Sequence, residues 1–272
     1  MTISRQFLAV QALELRKRFL GKRAIPVYLL ALIPLVLFAG RLVVLRVFHV
    51  DHNDSIAHDR VIYAALFRTL ILRFVVYFGC VAIFVPLFRG DILDRSLHYY
   101  FLVPMKRRTL TVAKYVSGLL AALVLFNGVT LATWTLLYLT HGTSALVEQL
   151  LSGHGLFEIS SYMLVTSLAC VGYGAVFLAA GAFFKNPIVP AVAILGWESI
   201  NALLPPVLKK ISVIHYLESL CPVSIPQDSG IAILADPASP WVAIPGILLL
   251  AAVLVYVAAQ RVKRLEILYG VE

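Results

Sequence analysis

The chain has 272 residues, of which 61% are hydrophobic and 14% charged, with a mean hydropathy of +0.90. Ordinary soluble domains carry about 25% charged residues, so a water-soluble enzyme or binding module is excluded. The net charge of +9 fits attraction to anionic lipid better than nucleic-acid binding, for which no basic-aromatic module is present.

Residues 4–20 read as a helix that lies on the membrane rather than crossing it. Leu8, Ala12, Leu15 and Phe19 form one stripe, flanked by Arg16, Lys17 and Arg18, the pattern of a basic interfacial helix. The basic region is too long for a cleavable signal, and the apolar stretch after it can span. Six apolar stretches follow, at about 24–45, 66–88, 112–139, 162–184, 188–204 and 241–260. Each approaches or exceeds the ~20 residues that a crossing helix needs. Pro26 and Pro34 fall in the first, where neighbouring helices can satisfy the freed carbonyls, and a kink is expected near Pro34.

Segment 46–65 carries His49, Asp51, His52, Asn53, Asp54, His58 and Asp59. These are metal-ligand types, but their spacing matches no metal motif, so the segment reads as a solvated loop. Segment 89–111 reads RGDILDRSLHYYFLVPMKRRTLT. Ile92, Leu93, Leu97, Tyr100 and Phe101 form an apolar helical face, and Asp91 and Asp94 lie in the first turn, where the helix dipole favours acid. Pro104 ends the helix, and Lys106, Arg107 and Arg108 follow. Segment 140–161 is rich in Gly and Ser, and 185–187 is a tight turn. Segment 205–240 is proline-rich, with Val207, Leu208, Ile211, Ile214 and Leu217 at helical spacing. It predicts one or two short helices dipping into the outer leaflet, too short to cross it. Cys80, Cys170 and Cys221 are too scattered for a disulfide framework or a CxxC site.

With the loops alternating inside and outside, the inside segments hold Arg5, Arg16, Lys17, Arg18, Lys22, Arg23, Arg89, Arg95, Lys106, Arg107, Arg108, Lys114, Lys185, Arg261, Lys263 and Arg264. The outside loops, helix ends and spans hold Arg41, Arg46, Arg60, Arg68, Arg73, Lys209 and Lys210. This asymmetry predicts both termini in the cytoplasm. Arg73 and Glu198 fall near mid-bilayer when ~1.5 Å is counted per residue. A charge there costs at least ~2.5 kcal/mol on insertion scales, so the two are expected either to pair across spans two and five or to line a pathway. Asn127 and Asn201 are expected to bridge helices.

Taken in order, these features resemble the ABC-2-type permeases, the membrane subunits of ATP-binding-cassette exporters with the type V fold. The basic leader ELRKRFLGKR enters span one. Asp91, Ser96-Leu97, Pro104, Arg107-Arg108 and Lys114 follow the family's pattern between spans two and three. The stretch Pro-Pro-x-Leu-Lys-Lys-Ile-Ser from Pro205 is similar to its outer re-entrant helices. Asp91 stands where Glu is common in the family, and Ser96 where Gly-Thr is common.

The resemblance implies an all-α integral membrane fold of six transmembrane helices. Residues 1–23 would be the connecting helix and 24–272 the transmembrane domain. Helix 91–103, through Asp91, Asp94, Leu97, Tyr100 and Phe101, would be the coupling helix docked on a separate ATPase subunit. A second permease subunit, identical or similar, would complete the pathway, most simply in a bacterial cytoplasmic membrane. No Gly-x-x-x-x-Gly-Lys-Ser/Thr loop occurs in the sequence, so ATP and Mg²⁺ would be bound by the partner chain, with no catalytic, cofactor or metal site expected here.

Two alternatives stand beside this reading. One is a permease-like subunit that passes ATP-driven motion to an extracytoplasmic assembly or maturation factor. The other is an integral-membrane enzyme. Asp91-x-x-Asp94 is similar to the paired aspartates of Mg²⁺-dependent lipid head-group transferases, but such a site needs more carboxylates.

Overall fold

The computed structural model of the chain describes residues 3–21, 24–47, 56–94, 107–151, 154–200, 205, 212–223 and 238–264. These residues are helical almost throughout, and no strand occurs among them. In chain order the helices are α1 (Ile3–Leu20), α2 (Ile25–Val47), α3 (Ile56–Leu87), α4 (Arg89–Leu93) and α5 (Arg107–Leu139). They continue with α6 (Thr143–Leu151), α7 (His154–Phe183), α8 (Ile188–Ser199), α9 (Val213–Ser219) and α10 (Pro240–Lys263).

Five of these, α2, α3, α5, α7 and α10, are long and apolar enough to cross a membrane. The chain is therefore an all-helical protein of integral-membrane character. Six uninterrupted spans were expected, and the fifth is different. Helix α8 has 12 residues, a rise of about 18 Å against a hydrocarbon core of about 30 Å. Hydropathy registers the apolar run but not where the helix stops.

The bundle is built on α7, whose packing against α10, α5 and α3 is the most extensive in the molecule. Small residues let neighbours approach. A Cβ on Gly174 would stand 2.5 Å from the Phe84 ring, and one on Gly181 would stand 2.7 Å from the Val85 carbonyl oxygen. Close backbone approach of this kind replaces hydrophobic drive in lipid, where dispersion and hydrogen bonds hold helices together. By contrast α2 and α10 keep broad apolar faces outward, among them Leu29, Ile33 and Val36 on α2 and Leu249, Val253 and Tyr256 on α10. Faces of this size are costly in water and inexpensive in lipid.

Helix α3 changes winding along its length. Ile56–Leu66 is α-helical, Phe67–Val76 is a π-helix, Tyr77–Phe84 is α-helical again, and Val85–Leu87 closes as a 3₁₀ turn with Pro86 at its start. A π-helix pairs residue i with i+5, and such segments cluster at functional positions. Arg68 and Arg73 are five apart within it, so they project from the same face.

Polar contacts fix which helix ends lie together. Arg107 Nη1 donates to the Lys263 carbonyl at 3.1 Å, Arg108 Nη2 to Gln260 Oε1 at 3.1 Å, and Gln11 Nε2 to the Ala113 carbonyl at 2.8 Å. The Arg261 guanidinium sits 5.7 Å from the Phe183 ring centre. Thus α1, the start of α5, and the ends of α7 and α10 share one end of the bundle. At the opposite end Asp59 accepts from Arg41 at 2.6 Å and contacts His141 Nε2 at 2.9 Å. Glu158 there accepts from Arg60 Nε at 3.0 Å and from the Tyr138 hydroxyl at 3.2 Å.

Three expectations meet the structure differently. Helix α1 turns Gln11 and Glu14 inward, while Ala12, Leu13 and Leu20 are exposed. Its packed face is therefore polar, because α5 offers the Ala113 carbonyl and Lys114 as partners. Of the polar segment 46–65, residues 56–65 form the first turns of α3, while His49, Asp51, His52, Asn53 and Asp54 lie outside the described residues, among which no cluster of three or more metal ligands occurs. Segment 140–161 contains the short helix α6 and the start of α7.

Overpacking the α3–α7 contact should be costly. Gly181→Val is expected to destabilise by about 1–3 kcal/mol. Gly128→Ala, where an added Cβ meets nothing within 4 Å, should be neutral or slightly stabilising. Melting temperatures in detergent check both.

Candidate functional site

A buried polar assembly lies at the end of the bundle shared by α1 and α5. Lys114 sits two turns into α5, with no exposed side-chain surface. Its ammonium donates to Glu14 Oε1 of α1 at 2.6 Å and to Asp91 Oδ2 of α4 at 2.5 Å. The Phe88 ring centre lies 5.8 Å away. Glu14 is 1% exposed and Asp91 5%. Lys17 stands 3.8 Å from Asp91 Oδ1, so two cations face two carboxylates across three elements. Ser117 Oγ donates back to the Lys114 carbonyl at 2.8 Å.

Local sequence explains the arrangement. Gln11 and Glu14 are one helical turn apart and fall on the same face. Asp91 opens a short helix just after the 3₁₀ turn that ends α3. A buried ion set of this kind holds only while every member is present, because removing one partner leaves an uncompensated charge and costs about 3–5 kcal/mol. The assembly can act as a rigid joint: displacement of α4 is passed to α1 and α5 through charge contacts rather than through a sliding apolar surface.

This corrects one reading of the sequence. Asp91 was expected on the surface offered to a partner, and its carboxylate instead faces inward to Lys114. Asp94 is exposed, at the turn that follows α4. Leu97, Tyr100 and Phe101, the rest of the expected docking face, lie outside the described residues.

The mid-bundle charges are also partnered differently from the expected pair. Arg73 Nη2 donates to Glu218 Oε1 of α9 at 2.6 Å, with side chains 33% and 28% exposed. Glu198, near the end of α8, accepts from the Tyr173 hydroxyl of α7 at 2.6 Å. The Ile214 backbone of α9 lies close to it, and Arg73 and Glu218 are both near enough to bear on its charge. Arg73 and Glu198 thus belong to one cluster, but the direct ion pair is Arg73–Glu218. Arg68 Nη2 reaches the Val223 carbonyl at 2.7 Å, and the Tyr77 hydroxyl reaches the Ala191 carbonyl at 2.6 Å. Asn127 donates to Ser167 at 3.0 Å, bridging α5 and α7 as expected of it. Asn201 lies outside the described residues.

Sequence reasoning missed Glu218 because segment 205–240 was expected to stay in the outer leaflet. Val213, Ile214 and Leu217 do form its buried face, and Glu218 follows the last of them. Glu14 gave a fainter signal, as the one acid among the basic residues of the leader. Tyr173 gave none.

No family model, no curated protein and no solved structure matches this chain.

Two sets of variants test the site. Lys114→Met should sharply reduce folded yield on size-exclusion chromatography, while Lys114→Met combined with Glu14→Gln and Asp91→Asn should recover most of it. In double-mutant cycles read by thermal unfolding, Arg73→Gln should couple more strongly to Glu218→Gln than to Glu198→Gln.

Proposed function

We propose that this chain is the membrane-spanning permease subunit of an ATP-driven exporter of the ABC-2 type. The observation that carries the reading is the buried joint of Glu14, Asp91 and Lys114. It ties the N-terminal helix, the head of the connector between α3 and α5, and the body of α5 into one unit at the end of the bundle where the basic residues collect. An exporter whose ATPase is a separate chain needs such a unit, because force delivered at a surface segment must reach the spans without dissipating in side-chain rearrangement.

In this reading both termini and the joint face the cytoplasm, in accordance with the excess of Lys and Arg. The polypeptide crosses the bilayer six times, and its fifth crossing is made in two pieces, α8 and the segment holding α9. Discontinuous crossings place backbone and side-chain polar groups near mid-depth, where transporters bind their cargo. Arg73, Glu218, Glu198 and Tyr173 are the groups at that level. The few polar side chains among broad apolar surfaces suit a lipid-like or amphipathic cargo. The connector beyond Asp94, with Leu97, Tyr100 and Phe101, docks the ATPase, and a second permease subunit completes the pathway. ATP and Mg²⁺ are held by the partner. The membrane is a bacterial cytoplasmic membrane.

Purification from the native membrane in mild detergent, followed by mass spectrometry, is the test. A near-stoichiometric subunit with a phosphate-binding loop is the expected result, and Leu97→Asp or Tyr100→Asp should release it while the permease stays inserted. Repeated absence of any ATPase from a well-folded preparation would overturn the proposal.

A further inference from the structure

At the end of the bundle opposite the Lys114 joint, the corner formed by the end of α5, α6 and the start of α7 keeps an apolar face outward. Gly142 has a φ of 102°, a left-handed backbone that glycine adopts at little cost, so α6 turns off the axis of α5 instead of extending it. On α6, Leu146 and Leu150 pack against the core. Val147 and Leu151, four residues apart on the next face, are 51% and 82% exposed. Thr143, Ser144 and Glu148 flank them and are exposed too. An open hollow of about 740 Å³ runs beside these five residues. The corner is tight where α7 begins, since a Cβ on Gly155 would stand 2.6 Å from the Gln149 carbonyl oxygen. Leu156 and Phe157 are exposed in that first turn. Leu164, seven residues beyond Phe157 and on the same face, carries the exposed apolar surface down the span.

Two helices set the depth of this corner. Arg46 stands about 32 Å along α2 from Ile25 at ~1.5 Å per residue, close to the thickness of a hydrocarbon core, about 30 Å. Its Nη2 donates to the Leu139 carbonyl at 3.4 Å, so the end of α5 lies at the same level. On α10, Trp241 is about 33 Å from Lys263 by the same count. Its side chain is exposed, as tryptophan is at the boundary between lipid and water. Helix α6, which follows Leu139 directly, is therefore at headgroup level. We infer that α6 and the first turn of α7 form an interfacial platform resting on the lipid of this leaflet, with Val147, Leu151 and Phe157 in the acyl boundary and Glu148 in water. Continuity selects the occupant, because the exposed face of the corner runs on into the exposed face of a span. Glu148 is the single charged residue of α6, so apolar burial rather than attraction to anionic headgroups holds the contact. The platform would fix the depth at which α5 ends and α7 begins. The inference is independent of what the protein transports.

The experiment is depth-resolved fluorescence quenching of the full chain in phosphatidylcholine nanodiscs, where both faces are open to solvent. The parent carries Cys221→Ser, while Cys80 and Cys170 are buried and their residual labelling is subtracted. Bimane is attached at Leu151→Cys, Phe157→Cys or Glu148→Cys, all exposed positions whose replacement leaves the core intact. The quenchers are phosphatidylcholine brominated near the top of its acyl chains and aqueous iodide. Leu151→Cys and Phe157→Cys are expected to lose most of their emission to the brominated lipid and little to iodide, and Glu148→Cys the reverse. Quenching of Leu151→Cys by iodide as strong as that of Glu148→Cys, with none from the brominated lipid, would overturn the platform and leave a water-facing surface suited to a soluble partner. Shelter of Leu151→Cys from both quenchers would also overturn it, since protein would then cover the face.

Discussion

Burial of the Lys114 ammonium between Glu14 and Asp91 constrains three elements at once. An ion taken out of water costs several kcal/mol even after relaxation, and only well-placed counter-charges repay it. Helix α1 therefore cannot float on the membrane surface as an independent amphipathic segment. It must present Glu14, and with it Gln11, to α5. The chain leaving α3 must likewise turn sharply enough to bring Asp91 back toward the same lysine, which the 3₁₀ turn at Val85–Leu87 accomplishes. The Cα trace of this end of the molecule follows largely from satisfying one cation.

Deeper in the bundle, the governing constraint is that no polar group can be left to lipid. The π-helical stretch of α3 answers it by aligning Arg68 and Arg73 on one face toward the 213–223 segment. Arg68 satisfies the Val223 carbonyl, and Arg73 neutralises Glu218. Helix α8 ends after 12 residues, and Glu198 near its end is received by the Tyr173 hydroxyl. A regular α-helix in place of the π segment would rotate the two arginines apart, since five residues at 100° each leave them 140° apart around the axis. The irregular winding of α3 and the shortness of α8 thus solve one problem together. The opposite end of the bundle is closed by a separate set of charges, Arg41–Asp59–His141 and Arg60–Glu158, which join α2, α3, the end of α5 and the start of α7.

Much of this was legible from the residues. The long apolar runs became α2, α3, α5, α7 and α10, and the ends of α2 and α10 fall within a few residues of the expected spans. The turn at 185–187 separates α7 from α8 as the sequence indicated. Lys114 stood out as a basic residue entering the third span, and Arg73 and Glu198 as charges that needed partners. Their actual partners were not legible. Glu218 and Tyr173 are 145 and 25 residues distant from the groups they hold, and nothing in the local pattern distinguishes Tyr173 from the other tyrosines of the spans. Asp91 read as an exposed first-turn acid because the dipole argument that places it there does not register a lysine 23 residues later.

By itself the sequence determined the helical class, the membrane character, the positions of the long helices and the collection of basic charge on alternate loops. These follow from properties summed along the chain: hydropathy over about 20 residues and the local count of Lys and Arg. Only the tertiary structure decided which face of α1 is buried, where α3 unwinds into a π-helix, that α8 ends after 12 residues, and which acid each buried base holds. Those outcomes depend on single donors and acceptors brought together from distant segments, where moving a partner by a few ångströms turns a satisfied charge into a penalty of several kcal/mol.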